Sequence, residues 1–487
     1  MPDLHVSFPA VPRQGEPRVV IIGGGITGLT AGYRLREAAR AAGVALSCTI
    51  IEREARPGGK IITERPEDGW VVEGGPDSFV MRKLWAVELV RELGLGEELI
   101  GTEPSRYSTY VLRRGRPIPL PAGLGLIAPT RWLPFLRSPL FSVRGKLRMA
   151  MELWIAARRD DADESLASFV RRRFGREALG RLGEPLLAAI HNGVAEEQSL
   201  LATFPNLREM ERTQGSVIRA ARRQAALAKR RGTSEPAFAT LREGMGTLID
   251  ALVARLGDAL ITGSGVAALE RQADSAGYRV RLDDGTLLHA DAVIVTTPAY
   301  TAAELVNGFA GELASALAGI RYVSTGTVTL AYPRGAAREP LEGFGVVIPR
   351  GEGRRINGCT ITSRKFAHRA PEGHRLVRAF VGGTHRAELL GLPDGELVDV
   401  VREELSTVLG ITTSPLWSRV YRWWDAHPQY TLGHLERVDR MTTLCPPGLI
   451  LSGSAYRGVG IPDCVREAQV AADRALKHLY PSGVVRA

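Results

Sequence analysis

Six residues near the start of the chain, Gly23-Gly24-Gly25-Ile26-Thr27-Gly28, fit the pattern G-x-G-x-x-G, a spacing suited to holding a pyrophosphate. The first glycine permits a tight turn and the second lets phosphate approach the backbone. The third lets a helix pack closely on a strand, so that phosphates lie over the helix N-terminus, where free N–H groups and the helix dipole favour an anion. Alone the pattern is weak, and a glycine-rich turn without ligand is the bland alternative. Its flanks count against that alternative. RVVIIG (18–23) is a wholly apolar run suited to a central parallel strand, and the residues from Ile26 keep helical spacing up to Gly43. A second apolar strand, LSCTIIE, ends at Glu52, within reach of a ribose hydroxyl. That carboxylate would repel a 2′-phosphate, which disfavours NADP.

A strand–helix–strand unit does not by itself separate FAD from NAD. Directly after the Glu52 strand comes Arg56-Pro57-Gly58-Gly59-Lys60-Ile61-Ile62-Thr63. This resembles the second signature of the FAD-binding amine oxidase superfamily, in which the glycine doublet brings backbone close to the cofactor. Gly263-Ser264-Gly265-Val266-Ala267-Ala268 matches G-x-G-x-x-A but is no second dinucleotide site. The chain soon becomes the alternating strand YRVRL and a DDG hairpin, so no βαβ unit is there to hold one. In the superfamily a valine in this context lends its backbone to the flavin's adenine, and Val266 is the match. With no pyridine-nucleotide site evident, dioxygen or a quinone is the expected electron acceptor.

Three further stretches narrow the resemblance. Glu73-Gly74-Gly75-Pro76-Asp77-Ser78-Phe79 with Arg82-Lys83 resembles the GPDSF-x-x-RK element of bacterial porphyrinogen oxidases. Glu184-Pro185-Leu186-Leu187 leading to Thr203-Phe204-Pro205 resembles their helical-lobe signature. Pro428-Gln429-Tyr430 with Gly433-His434, then Gly458-Val459-Gly460-Ile461-Pro462-Asp463-Cys464, resembles their C-terminal flavin-binding end. The blocks run in order from about residue 18 to 475.

The resemblance implies an α/β (mixed α+β) fold: a Rossmann-like FAD-binding domain, a sheet-based substrate domain and an inserted helical lobe. The FAD-binding domain is expected at 18–102, 233–305 and 436–480, the substrate domain at 103–115 and 306–435, and the lobe at 116–232. The implied activity is FAD-dependent oxidation of coproporphyrinogen III or protoporphyrinogen IX by dioxygen, with release of peroxide. Carried over by position, the flavin contacts are Gly23, Gly24, Gly25, Ile26, Thr27, Gly28, Glu52, Gly59, Lys60, Gly75, Pro76, Asp77, Val266, Trp423, Val459, Gly460 and Ile461. Phe344 and Val347, in GFGVVIP, match positions that sandwich the macrocycle, and Val347 stands where leucine is commoner.

Lys83 is the expected propionate contact, since a long ammonium suits a carboxylate at a pocket mouth; a solvent-facing lysine is its alternative. The RK ending resembles the coproporphyrinogen-using branch. No triad or metal-ligand cluster stands out, which suits chemistry supplied by a cofactor, and no general base is assigned. His191-Asn192-Gly193-Val194 departs from the family's Tyr-Ala-Gly-Asp. A hydrogen-bonded structural role is expected for His191, with a substrate-facing one as alternative, and His434 is expected to be structural. Two other functions stay open: an amine- or carotenoid-oxidising relative, with Trp423 in an aromatic cage, and a non-catalytic porphyrin carrier.

Bulk properties agree. A chain of 487 residues needs two or three lobes, and 44% hydrophobic with 24% charged residues describes a globular protein. The formal charge of +10 favours anionic partners without choosing among them. Four scattered cysteines form no C-x-x-C pair, as expected in a reducing cytoplasm. The first residues lack a signal peptide's apolar core and read as a loose tail, and no apolar run reaches spanning length. The stretch 219–231 reads as a solvated basic helix, not a nucleic-acid module. In 117–143, Trp132, Phe135 and Phe141 interleave with Arg131, Arg137 and Arg144. That surface could rest on anionic lipid, line the substrate entrance or pack internally. Passing on a reactive porphyrin makes a ferrochelatase a candidate partner.

Overall fold

After their first residue, runs such as RVVII and SCTII offer solvent no charged side chain and little polar surface, so they belong in the middle of a sheet covered on both sides. Here they do lie so. The structure is a computed structural model describing residues 15–481 apart from 67–68, 104–108, 126, 232–235, 273–276, 334 and 337–340. The segment expected to be a loose tail lies, up to residue 14, outside the described residues. Five parallel strands follow the order Leu260–Ile261, Ser47–Ile51, Arg18–Ile22, Ala292–Val295, Leu449–Leu451. The sheet therefore draws its strands from both ends of the chain.

Alternate residues of these strands serve two apolar cores. Val19 and Ile21 join the side covered by the first helix, Ile26–Ala42, and the closing helix, Ile461–Leu479. Val20 and Ile22 join the other side, with the antiparallel strands Val266–Arg271, Tyr278–Leu282 and Leu287–Ala290. The first helix stops where expected: Gly43 takes φ +66° and donates its N–H to the last turn.

A second sheet of seven strands has the order Trp417–Pro428, Tyr322–Tyr332, Arg375–Gly382, Gly358–Ile361, Gly345–Val347, Thr109–Arg113, Arg116–Pro119. Its neighbours are antiparallel except Gly345–Val347 beside Thr109–Arg113. The helix Asp394–Leu409 lays Leu397, Val401, Leu405 and Val408 on its core.

Between residues 132 and 231 the chain is helical. In the last of these helices, Val217–Arg231, residues 222–230 are exposed, as a solvated basic helix requires. The 117–143 surface needs correction. Phe135 and Phe141 are 1% and 3% exposed, their rings 5.7 Å apart inside the helical core, so of the three expectations they follow internal packing. Helical spacing turns Leu133 and Leu136 outward instead, and with Val143, Leu147, Met151 and Trp154 they are the exposed apolar residues of this segment. No helix among the described residues is long and apolar enough to cross a membrane.

Candidate flavin and substrate site

The glycine turn joins the strand Arg18–Ile22 to the first helix. Gly23 takes φ +109°, a conformation that side chains resist. A Cβ on Gly28 would lie 1.9 Å from Gly23 O, so helix and strand close up only because it has none. At Gly25 the opposite holds: nothing lies within 4 Å of a Cβ placed there. Gly25 caps the helix without a side-chain bond, leaving an open cradle over free N–H groups.

Glu52 borders this cradle. Its Oε2 accepts from Gly24 N–H at 2.7 Å and its Oε1 from Glu54 N–H at 3.0 Å. Gly58 and Gly59 take φ +100° and +55°, and Gly58 donates its N–H to Gly24 O at 2.8 Å, so the second motif lies against the first. Ser264 N–H donates to Glu52 O at 3.1 Å, which carries buried Val266 alongside. Ser264 Oγ is buried and has no partner among the described residues.

The C-terminal stretch arrives at the same place. The closing helix starts after Gly460, again with no side-chain cap. Cys464 Sγ donates to Gly458 O at 4.0 Å, and the Thr27 side chain lies beside its thiol, which brings the N-terminal turns of the two helices together. Lys83 Nζ lies 2.6 Å from both carboxylate oxygens of Asp463. Tyr430 Oη accepts from Gly458 N–H at 2.9 Å and donates to Ser454 O at 2.7 Å. Its ring stacks on His434 at 4.0 Å, and His434 Nε2 bonds Tyr456 O at 2.7 Å. His434 is thus structural. Tyr430 and Asp463 stand within the quoted stretches, and their roles emerge only when the chain is folded.

The GPD turn is held from the second sheet. Trp423 Nε1 donates to Gly74 O at 2.9 Å, and Arg378 donates to Gly75 O at 2.5 Å. Lys60 Nζ bonds Ala426 O, and burial pulls its pKa down. Asp77 pairs with Lys365 Nζ at 2.9 Å and accepts from Ser78 at 2.7 Å. Burial pushes its pKa up, but Lys365 and Arg378 outweigh this and hold it well below the carboxylate range. Nothing in the spacing of the sequence marks Lys365 or Arg378. Phe344 and Val347 are half-buried on the second sheet, apart from this hydrogen-bonded cluster.

His191 is buried, with its ring centroid 5.6 Å from Phe204, 6.3 Å from His427 and 6.4 Å from Tyr430. Burial, then His427 and Lys83, pushes its pKa down to about 3. Rings surround it, and among the described residues no side-chain hydrogen bond joins them.

An open cradle at Gly25, an orphaned hydroxyl beside Glu52 and two adjoining helix N-termini without side-chain caps suit an anionic dinucleotide. The profile of the flavin containing amine oxidoreductase family matches residues 26–476. The chain belongs to that family. It is therefore an oxidoreductase with a flavin cofactor, and its α/β fold is the family's. A coproporphyrinogen III oxidase of Bacillus subtilis (strain 168) is 36% identical, over 96% of this chain and 99% of that one. Protoporphyrinogen oxidase 1, chloroplastic, of Arabidopsis thaliana is 31% identical over 92% and 86%. A crystal structure from Exiguobacterium sp. 255-15, described as a candidate protoporphyrinogen oxidase, superposes with a TM-score of 0.82. It is 31% identical and covers 94% of this chain and 98% of that one.

Proposed function

We propose that this chain is an FAD-dependent oxidase of coproporphyrinogen III in haem synthesis, passing electrons to dioxygen and releasing hydrogen peroxide. The observation that carries the reading is the Lys83–Asp463 pair. It ties the GPDSF-x-x-RK stretch to the GVGIPDC end, the two stretches that most resemble porphyrinogen oxidases, beside the glycine cradle. The full-length relatives support it. Protoporphyrinogen IX is the second substrate reading, favoured by the plant relative.

When bound, FAD supplies the acceptor for a hydride leaving a methylene bridge, whose flanking pyrroles delocalise the resulting cation. The protein positions and shields. Gly25 leaves room for a pyrophosphate over the first helix, and Glu52 is placed for a ribose hydroxyl. Gly23, Gly24, Ile26, Thr27, Gly28, Gly59, Lys60, Gly75, Pro76, Asp77, Val266, Trp423, Val459, Gly460 and Ile461 complete the flavin contacts in this reading. The N-terminus of the closing helix would favour negative charge on the reduced ring system. Lys83, already spanning Asp463, has a third N–H to offer a propionate, and Phe344 and Val347 wall the macrocycle. The domain limits 18–102, 233–305 and 436–480, 103–115 and 306–435, and 116–232 are part of the proposal; strand membership favours them except at 116, because Arg116–Pro119 pairs with Thr109–Arg113 in the second sheet.

Lipid contact belongs to it too. Exposed Leu133, Leu136, Val143 and Leu147 stand among exposed Arg131, Arg137 and Arg144, so apolar burial and attraction to an anionic bilayer would add. A ferrochelatase is the partner that would receive the product.

Anaerobic mixing with coproporphyrinogen III should bleach the flavin, and air should restore it with release of peroxide. Bleaching by an amine instead would favour an amine oxidase. Stoichiometric porphyrin binding without peroxide would favour a carrier.

A further inference from the structure

A cavity of about 400 Å³ opens where the helical segment meets the far end of the second sheet. Ile348 and Pro349 form one wall, directly after Val347, and Asn192 and Gly193 form another, directly after His191. A third side, the turn after Arg375–Gly382, is tied to the second: Thr384 Oγ1 donates to Asn192 O at 2.8 Å. A Cβ on Gly193 would lie 2.5 Å from Gln429 Oε1, next to the Tyr430 that braces Gly458. The cavity therefore adjoins the segments that reach the flavin site.

Its charge is one-sided. Arg350, Arg354, Arg386 and His385 line it, with Glu184 as the opposing carboxylate. Arg354 has a loose partner in Glu404 at 3.9 Å. Among the described residues no carboxylate lies within 4.0 Å of the Arg350 or Arg386 guanidinium. Burial, then Glu196, raises the Glu184 pKa against the pull of Arg350. Burial, then Arg350 and Arg386, lowers the His385 pKa, as crowded positive charge should. Such a cluster lacks an anion, and guanidinium forks match carboxylates.

We propose that this cavity binds carboxylate arms of the substrate, with Arg350 and Arg386 selecting the porphyrinogen that carries more of them. This rests on the porphyrinogen reading above. Coproporphyrinogen III has four propionates and protoporphyrinogen IX has two, so only the former has an acidic group on every ring to extend to a second basic site. A free phosphate would satisfy the same chemistry.

The test measures steady-state kinetics of the flavin-loaded Arg350→Ala and Arg386→Ala proteins on both porphyrinogens, with flavin absorbance as the check of folding. Each change should raise KM for coproporphyrinogen III about tenfold and leave kcat within about twofold. KM for protoporphyrinogen IX should move much less, and Arg350→Lys should recover part of the loss. Inorganic phosphate should inhibit the unaltered protein competitively and the variants weakly. KM values for coproporphyrinogen III within twofold of the unaltered protein would overturn the proposal. So would an equal rise for both substrates. Phosphate bound at the arginines without competing with substrate would make the cavity a separate anion site and also refute it. If the unaltered protein oxidises neither porphyrinogen, the functional reading fails first, and that result is distinct from all of these.

Discussion

The parallel sheet and the helical segment share apolar cores but differ in what else they bury. In the sheet, Ile21, Ile50, Val293, Ile294 and Val295 are wholly buried against other apolar side chains. In the helical segment the largest fully buried side chain is Arg173, paired with Glu152 and Glu211, themselves 0% exposed. Arg173 also donates to Ile155 O at 2.9 Å and Gly215 O at 3.0 Å. Glu152 accepts from Ser216 Oγ at 2.5 Å, Val217 N–H at 2.8 Å and Ile218 N–H at 3.2 Å, capping the basic helix from a distance. An apolar core tolerates swaps that keep volume. A buried ion network tolerates no one-sided loss, because the surviving charge is left without water or partner. The cofactor region thus rests on a forgiving core, and the lobe beside it adds to its own apolar core a strictly specified ion network.

The largest effect expected on the sheet side is local to its turn. Gly28→Val should give protein that purifies colourless yet keeps its helical circular dichroism, because the new side chain meets Gly23 O and forces strand and helix apart. A yellow variant would show that the turn does not hold the flavin.

Next is stability. Glu152→Ala should cost about 3–5 kcal/mol in urea unfolding, since it takes from buried Arg173 the nearer of its two carboxylates and uncaps the basic helix. Ile21→Val, an equally buried change in the sheet, should cost about 1 kcal/mol. Equal losses would erase the contrast between the regions. Adding Arg173→Met to Glu152→Ala should return part of the loss, because no lone charge then remains.

Lys83→Ala tests the junction. It should raise KM for coproporphyrinogen III about tenfold, by the loss of one charge-assisted contact. Asp463→Asn keeps that ammonium and should affect flavin affinity more than KM. An unchanged KM in Lys83→Ala would remove Lys83 from the substrate site.

A smaller effect concerns acid. Burial pushes the pKa of His191 to about 3 and those of His427 and His434 to about 4. Unfolded histidine titrates near 6.5. Between about pH 6.5 and 4 the unfolded chain therefore binds more protons, so these groups stabilise the fold above that window and the contribution fades as pH falls through it. Melting temperature should drop from pH 7 to 4.5, and less steeply for His191→Phe. Identical slopes would show that His191 is not buried neutral. Smallest of all, Leu147→Asp should weaken sedimentation with anionic vesicles and leave activity in detergent-free buffer unaltered. Equal sedimentation would remove that face from lipid contact.

The same contrast explains what could be read before folding. The strands Arg18–Ile22, Ser47–Ile51 and Ala292–Val295 announce themselves, because burial on both faces demands unbroken apolar runs. The hairpin after Tyr278 does so by alternation and turn residues. The turn Gly23–Gly28 was legible since each glycine answers a local steric demand. Arg173 and Glu152 were not, since a buried arginine looks in sequence like the exposed arginines beside it. Lys365, Arg378 and the partner of Lys83 were hidden for a related reason: ion pairs between residues hundreds of positions apart leave no periodic trace. Phe135 and Phe141 show the limit of composition, which mixed rings and charges that the helix then sorted inward and outward.

The meeting of both chain ends bears on how the protein is made. A strand at Leu449–Leu451, the cap at Gly460 and the clasp of Asp463 on Lys83 all leave the ribosome long after the opening glycine turn. A nascent chain holding only the opening glycine turn has half a cradle. Cofactor capture must then wait until that stretch has been made, and a chain cut before Gly458 should fold in part and purify without yellow colour.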